Sequence, residues 1–189
     1  PRNPERVNNS IVDFDNELFL SERKQLYENI FKKSLFLLTG KPGSGKTFEI
    51  SNIIRKLKEI GEDVEVLTPT GKAALRLKQN IVNYCENFKV EVKTIDKFIF
   101  ENDFKWAYDD WDRLDSLKET DKISIENLII DESSMIDLQK LKIIFSIIKI
   151  NKNYPKRIIF VGDENQLPPI GFGKPFHDII SYIIEKDNL

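Results

Sequence analysis

Apolar residues in this chain gather into short unbroken runs instead of alternating with polar ones. Leu35–Thr39, Val64–Thr68, Asn127–Ile130 and residues 157–161 are dominated by Leu, Ile, Val and Phe. Such runs suit strands buried on both faces, as in a parallel sheet covered by helices. Between them, helical spacing is predicted over residues 47–60, 72–80 and 137–149. The strand-helix rhythm predicts an α/β fold, a three-layer αβα sandwich with a mainly parallel sheet. Ligands of such sheets bind at the carboxyl ends of the strands. An earlier helix is predicted with Ser21 as N-cap, Glu22 in its first turn and Leu26, Ile30 and Phe31 at helical spacing. Residues 1–15 hold few core formers and read as a tail or linker, which leaves 16–189 as the domain. The stretch 101–122 fits no element well. It is charged, yet it carries Phe104, Trp106, Tyr108 and Trp111, whose expected role is packing the loop onto the domain in preference to stacking on bases.

Composition narrows the class. At 189 residues the chain is long enough for one sizeable core. No apolar run approaches the ~20 residues of a membrane-spanning helix. The N-terminus lacks the basic-then-apolar layout of a secretory signal, and no Met opens it, so a piece of a longer protein is expected. One Cys and one His leave no set of zinc ligands. The single Cys85 favours a reducing, cytoplasmic setting without disulfides. A net charge of -2 speaks mildly against a dedicated nucleic-acid-binding domain. A local basic strip and backbone amides could still hold a strand.

The chemistry begins where the first run ends. Gly40-Lys41-Pro42-Gly43-Ser44-Gly45-Lys46-Thr47 matches G-x-x-x-x-G-K-[ST] between a predicted strand and a predicted helix. Glycines let such a loop wrap so that successive backbone N–H groups converge on phosphate oxygens, and the helix adds its positive dipole end. Lys46 is expected at the β- and γ-phosphates, with the Thr47 hydroxyl on Mg²⁺. The third run ends in Asp131 and Glu132. Beside a P-loop, Asp131 suits Mg²⁺ and Glu132 suits the general base that activates water. The fourth run leads to Gly162-Asp-Glu-Asn-Gln166-Leu-Pro-Pro169. Gln166 there can sense the γ-phosphate without adding charge, although alone the segment would be a polar turn. After the second run, Pro69-Thr70-Gly71-Lys72 makes a small anion nest at a helix start. Lys72 and Arg76 share a face at i and i+4. Contact with a nucleic-acid backbone competes there with a capped helix whose basic face is simply solvated.

In chain order, Gly40–Thr47, Pro69–Ala74, Asp131–Met135 and Gly162–Pro168 resemble motifs I, Ia, II and III of the first RecA-like domain of superfamily 1 helicases, in the RecD-like (RecD/TraA) branch. The strings P-T-G-K-A-A, D-E-S-S-M-I-D-L and G-D-E-N-Q-L-P carry the likeness, which covers roughly residues 20–180. It implies ATP and Mg²⁺ as cofactors, single-stranded DNA as partner and 5′-to-3′ movement coupled to hydrolysis. It also implies a second RecA-like domain supplying an arginine to the ATP site, and a place in a recombination or repair complex. Two weaker segments fit. Leu20-Ser-Glu-Arg-Lys-Gln25 is similar to the stretch in which a Gln contacts adenine, which makes Gln25 the candidate. Lys93-Thr94-Ile95-Asp96-Lys97-Phe98 is similar to motif Ib, where the Thr touches the DNA backbone. Here the family's His is replaced by Asp96, and a carboxylate repels phosphate. Motifs IV to VI do not follow before Leu189, so the chain by itself is expected to bind nucleotide and hydrolyse it poorly. A nucleotide-dependent DNA-binding switch without turnover is the alternative. A small-molecule P-loop kinase leaves P-T-G-K-A-A and the Gly162–Pro168 segment without a role.

Overall fold

A computed structural model describes residues 16–85 and 88–187. The expected tail at 1–15 lies outside the described residues. The element order begins α1 (Asn16–Lys32), β1 (Leu35–Thr39), α2 (Lys46–Glu59), β2 (Val64–Thr68) and α3 (Gly71–Tyr84). It continues with β3 (Val92–Thr94), α4 (Ile95–Glu101), α5 (Trp111–Asp115) and β4 (Asn127–Ile130). Then come α6 (Leu138–Ile147), β5 (Arg157–Gly162) and α7 (Pro175–Asp187). Short 3-10 turns flank α5, and another, Ser133–Met135, follows β4.

The five strands pair in the order β1-β5-β4-β2-β3, and every pairing is parallel. Crossover helices are required between parallel neighbours, and they cover both faces of the sheet. Alternation within the strands divides the core accordingly. Leu67, Leu128, Ile130 and Phe160 enter one cluster with Phe98, Ile144, Phe176 and their neighbours from α4, α6 and α7. Val66, Ile129, Ile159 and Val161 enter the other, with Ile30 of α1, Ile50 and Ile54 of α2, and Leu77 and Ile81 of α3. The expected αβα sandwich is therefore present, with one apolar layer on each side of the sheet.

Two features depart from the sequence expectations. Ser21 lies inside α1 and does not cap it, because the helix already begins at Asn16. A fifth strand, β3, lies at the sheet edge, and its register places Thr94 beside Thr68. The aromatic segment folds down onto α6. Tyr108 donates its hydroxyl to Asp96, which also accepts from Lys140 Nζ at 3.0 Å. The Arg113 guanidinium stacks over Trp106 at 4.0 Å, and the Lys142 ammonium lies 4.3 Å from the Trp111 ring centre. Asp96 thus serves as the strap that fastens this segment, with its charge offset by Lys140.

Candidate ATP site and nucleic-acid face

The P-loop forms because its sequence tolerates conformations that most residues resist. Gly43 (φ 79) and Gly45 (φ 88) are both left-handed, the region in which a Cβ is strained. Gly45 is also the N-cap of α2 and offers no side-chain cap, so the first-turn amides remain directed at whatever anion enters. The loop is anchored across the sheet by the Gly40 amide, which donates to the Gly162 carbonyl at 3.2 Å. Gly162 itself sits where a side chain has no room. A Cβ there would lie 2.8 Å from the Phe176 ring and 3.2 Å from the Ser134 nitrogen.

A cavity of about 380 Å³ opens over the loop. Pro42, Gly43, Gly45, Lys46 and Thr47 line it from one side, and Asp131, Glu132 and Gln166 from the other. The Lys46 ammonium is folded onto the carbonyls of Gly40 and Lys41, the latter at 3.0 Å. Asp131 ends β4 and is buried, its amide bonded to the Leu67 carbonyl at 2.9 Å. Burial pushes its carboxyl up to about 6, against the pull of the Glu132 amide and of the Arg76 and Lys46 charges. Glu132 then turns away through a left-handed backbone (φ 54), rare for a residue with a side chain. That turn sets the two adjacent acids on different headings. Ser134 donates to Gln166 Oε1 at 3.1 Å, which leaves the amide nitrogen of Gln166 available to the cavity.

The residues fit magnesium better than an all-protein metal cage. Among the described residues no group of three or more His, Cys, Asp or Glu is arranged so that it could hold a metal ion. Magnesium is held typically by one or two protein oxygens together with phosphates and water. The buried Asp131 carboxylate and the Thr47 hydroxyl on the same cavity supply such oxygens.

Other residues take places that the sequence did not foretell. Phe48, Asn80 and Tyr84 line the same cavity, and Phe48 meets Tyr84 edge-on at 5.3 Å. Asn80 and Tyr84 follow Arg76 at steps of four, so the α3 face was legible once Arg76 was placed. Arg76 itself lines the cavity, its Nη2 at 3.8 Å from Glu132 Oε1, whereas Lys72 does not line it. The expectation that Arg76 joins Lys72 at a nucleic-acid backbone is not what this geometry favours. Gln25 is exposed on α1 and is not among the cavity-lining residues. Arg23 is nearer the site. It pairs with Glu49 at 2.6 Å and lies 4.9 Å from the Phe48 ring centre. Tyr27 donates to Glu49 at 2.8 Å, and burial together with that carboxylate pushes its hydroxyl up to about 12.

The nest and the edge strand share one end of the sheet. Thr70 caps α3, accepting from the Ala73 amide at 3.2 Å, and Thr94 caps α4, accepting from Lys97 at 3.1 Å. Both hydroxyls act as acceptors within the protein, so each keeps its own hydrogen to donate. Pro69, Thr70, Gly71 and Lys72 therefore adjoin Thr94 at the carboxyl ends of β2 and β3, the end that also carries the P-loop. At the opposite end, a cleft of about 440 Å³ is lined by Glu65, Glu91 and Lys93, which pair among themselves.

Comparison with known proteins agrees with this geometry. A family model described as an AAA domain matches residues 23–172. The chain is 40% identical over 183 residues to the protein MJ1519 of Methanocaldococcus jannaschii, covering 92% of this chain and 15% of that one. It is 26% identical over 171 residues to RecBCD enzyme subunit RecD of Haemophilus influenzae, covering 82% of this chain and 25% of the subunit. Against the ATP-dependent DNA helicase Pif1 of a Psychrobacter species it is 27% identical over 144 residues, covering 74% and 20%. The chain thus spans a quarter or less of the length of these relatives. With the P-loop and acidic strand gathered on one cavity, the chain belongs to the AAA-domain family, as the nucleotide-binding RecA-like domain of superfamily 1 RecD-like helicases.

Proposed function

We propose that this chain is the ATP-binding motor domain of a 5′-to-3′ DNA helicase of the RecD-like kind, coupling hydrolysis to movement along single-stranded DNA and duplex opening. The observation that carries the reading is the convergence of Lys46, Thr47, Asp131, Glu132 and Gln166 on one cavity. The nest at Thr70–Lys72 and Thr94 lie at the same end of the sheet.

In this reading the P-loop amides and the α2 N-terminus hold the phosphates. The Lys46 ammonium exchanges the Gly40 and Lys41 carbonyls for β- and γ-phosphate oxygens. Thr47 and Asp131 would hold magnesium, which supplies charge neutralisation on those oxygens. Glu132 accepts the proton of the attacking water as the water oxygen bonds to the γ-phosphorus and the bond to the ADP oxygen breaks. Gln166, its carbonyl fixed by Ser134, donates its amide to the γ-phosphate or to that water. Phe48 and Tyr84 offer aromatic surface for the base, with Gln25 the family's candidate for adenine. Pro69, Thr70, Gly71, Lys72 and Thr94 hold the DNA backbone by amides, hydroxyls and one ammonium. A second RecA-like domain supplies the arginine that speeds hydrolysis, worth ~10³–10⁵ in related systems. The protein works in a reducing, cytoplasmic setting, which suits the buried free thiol of Cys85. Its partners would include a recombination or repair complex. No helix among the described residues is long and apolar enough to cross a membrane.

The reading is tested by Glu132→Gln. Loss of a general base should slow hydrolysis ~10²–10⁴-fold with ATP binding retained. Hydrolysis at the wild-type rate would refute the role. ATP binding that responds to oligo(dT), with no turnover in wild type, would favour the switch.

A further inference from the structure

The ion pair between Arg76 and Glu132 links two parts of the molecule that the sequence assigns to different ligands. We infer that Arg76 is a positioning residue of the ATP site, acting through Glu132, and not a contact to the nucleic-acid backbone. The inference rests on the proposed role of Glu132 as general base.

Three observations support it. First, Glu132 has little freedom at its root. Its backbone is held at φ 54 as the cap of the Ser133–Met135 turn, with Ser133 and Ser134 buried beneath it. What remains to be fixed is the swing of its side chain, and a general base must meet its proton at hydrogen-bond distance. Second, among the described ion pairs Arg76 is the cation that meets this carboxylate, at 3.8 Å. Lys46, the other cation of the cavity, is directed at the P-loop carbonyls. Third, the cavity is lined by one continuous face of α3, Arg76, Asn80 and Tyr84 at steps of four. The adjoining face of α3 is anchored in the core by Leu77 and Ile81, and Thr70 caps its start. The guanidinium is thus presented from a fixed helix.

A phosphodiester contact would require the opposite geometry. A carboxylate 3.8 Å from the guanidinium repels a passing phosphate, and Arg76 would have to abandon Glu132 to reach one. Lys72, one turn earlier and outside the cavity, has no such conflict. One helix therefore divides its basic residues, the first turn going to the strand and Arg76 to the nucleotide. The single Nη2–Oε1 approach at 3.8 Å is an ion pair without a hydrogen bond, so Arg76 steers the Glu132 carboxylate through its charge.

The test is hydrolysis under single-turnover conditions, with the protein in excess over ATP so that slow rates are read, together with ATP and oligo(dT) affinities. Arg76→Gln should slow hydrolysis about ten- to a hundredfold while the MgATP affinity stays within about threefold. Arg76→Lys should recover part of the rate. The double substitution Arg76→Gln, Glu132→Gln should be no slower than Glu132→Gln alone, because both act at one step. A purely structural role would instead lower the melting temperature and the affinity together. An Arg76→Gln rate within twofold of wild type, or losses that multiply in the double variant, overturns the inference. So does weakened oligo(dT) binding with hydrolysis intact. If Lys46→Ala hydrolyses ATP like the wild type, or the wild type binds no ATP, the functional reading itself fails. A normal Lys46 dependence with an indifferent Arg76 removes this inference alone.

Discussion

Gly162 illustrates how a single residue ties the fold to the site. Its carbonyl receives the Gly40 amide, and its missing side chain makes room for the buried Phe176 ring and the Ser134 backbone. Gly162→Ala would press a methyl into a ring that cannot swing away. The expected cost is about 1–3 kcal/mol, measured as a shift in the denaturant midpoint with unchanged slope. Because Ser134 holds Gln166, the same substitution should also slow hydrolysis more than it weakens ATP binding. At this scale the P-loop and both acids were legible, since each is a short string with a local physical requirement. Arg76 was not. Helical spacing relates it to Lys72 but does not say which wall of the molecule the helix lies against.

At the scale of elements, the amino ends of the strands are stapled by charge. Arg157 of β5 pairs with Glu62 at 2.5 Å and also donates to Asn127 of β4 and to the Ile30 carbonyl of α1. Lys156 bridges Glu62 and Glu126. Burial alone would raise the Glu62 carboxyl, but the Lys156 and Asn127 hydrogen bonds and the Arg157 charge outweigh it and hold it below its ordinary 4.5. The sign follows. A depressed carboxyl contributes stability above the ordinary value and loses it as pH falls through the depressed one. Glu62→Gln should therefore flatten the acid limb of stability against pH below about 4.5. Glu62→Ala leaves Arg157 without its carboxylate and should cost about 3 kcal/mol at neutral pH. An unchanged melting temperature would exclude the staple as a source of stability. None of this network could be read from sequence, because its members lie up to 127 positions apart. The elements themselves were legible in proportion to their apolar content. β1, β4 and β5 stand out as unbroken runs, and β2 is interrupted by Glu65 alone. β3 is three residues with a lysine in the middle, too short and mixed to register, and α7 hid behind a Gly- and Pro-rich loop although Pro175 marks its start.

Considered whole, the molecule gathers its chemistry at one end of a parallel sheet and its structural charges at the other. The order β1-β5-β4-β2-β3 sets the strand leading to Gln166, the proposed γ-phosphate sensor, between the P-loop strand and the acidic strand, and sets the nest strands beyond them. A nucleotide on β1, β5 and β4 and a DNA strand on β2 and β3 would thus share one rigid surface, bridged by α3. The aromatic segment fits this division. Trp106 and Tyr108 pack on the core and serve the fold, and Asp96 is committed to Tyr108 and Lys140. Calorimetric titration of wild type and Lys46→Ala with MgATP reads whether the cavity over Gly40–Thr47 binds ATP through Lys46. The wild type should bind saturably, and the variant should bind about a hundredfold more weakly or not at all, with an unchanged melting temperature. Undiminished affinity in a folded Lys46→Ala would contradict that role of Lys46.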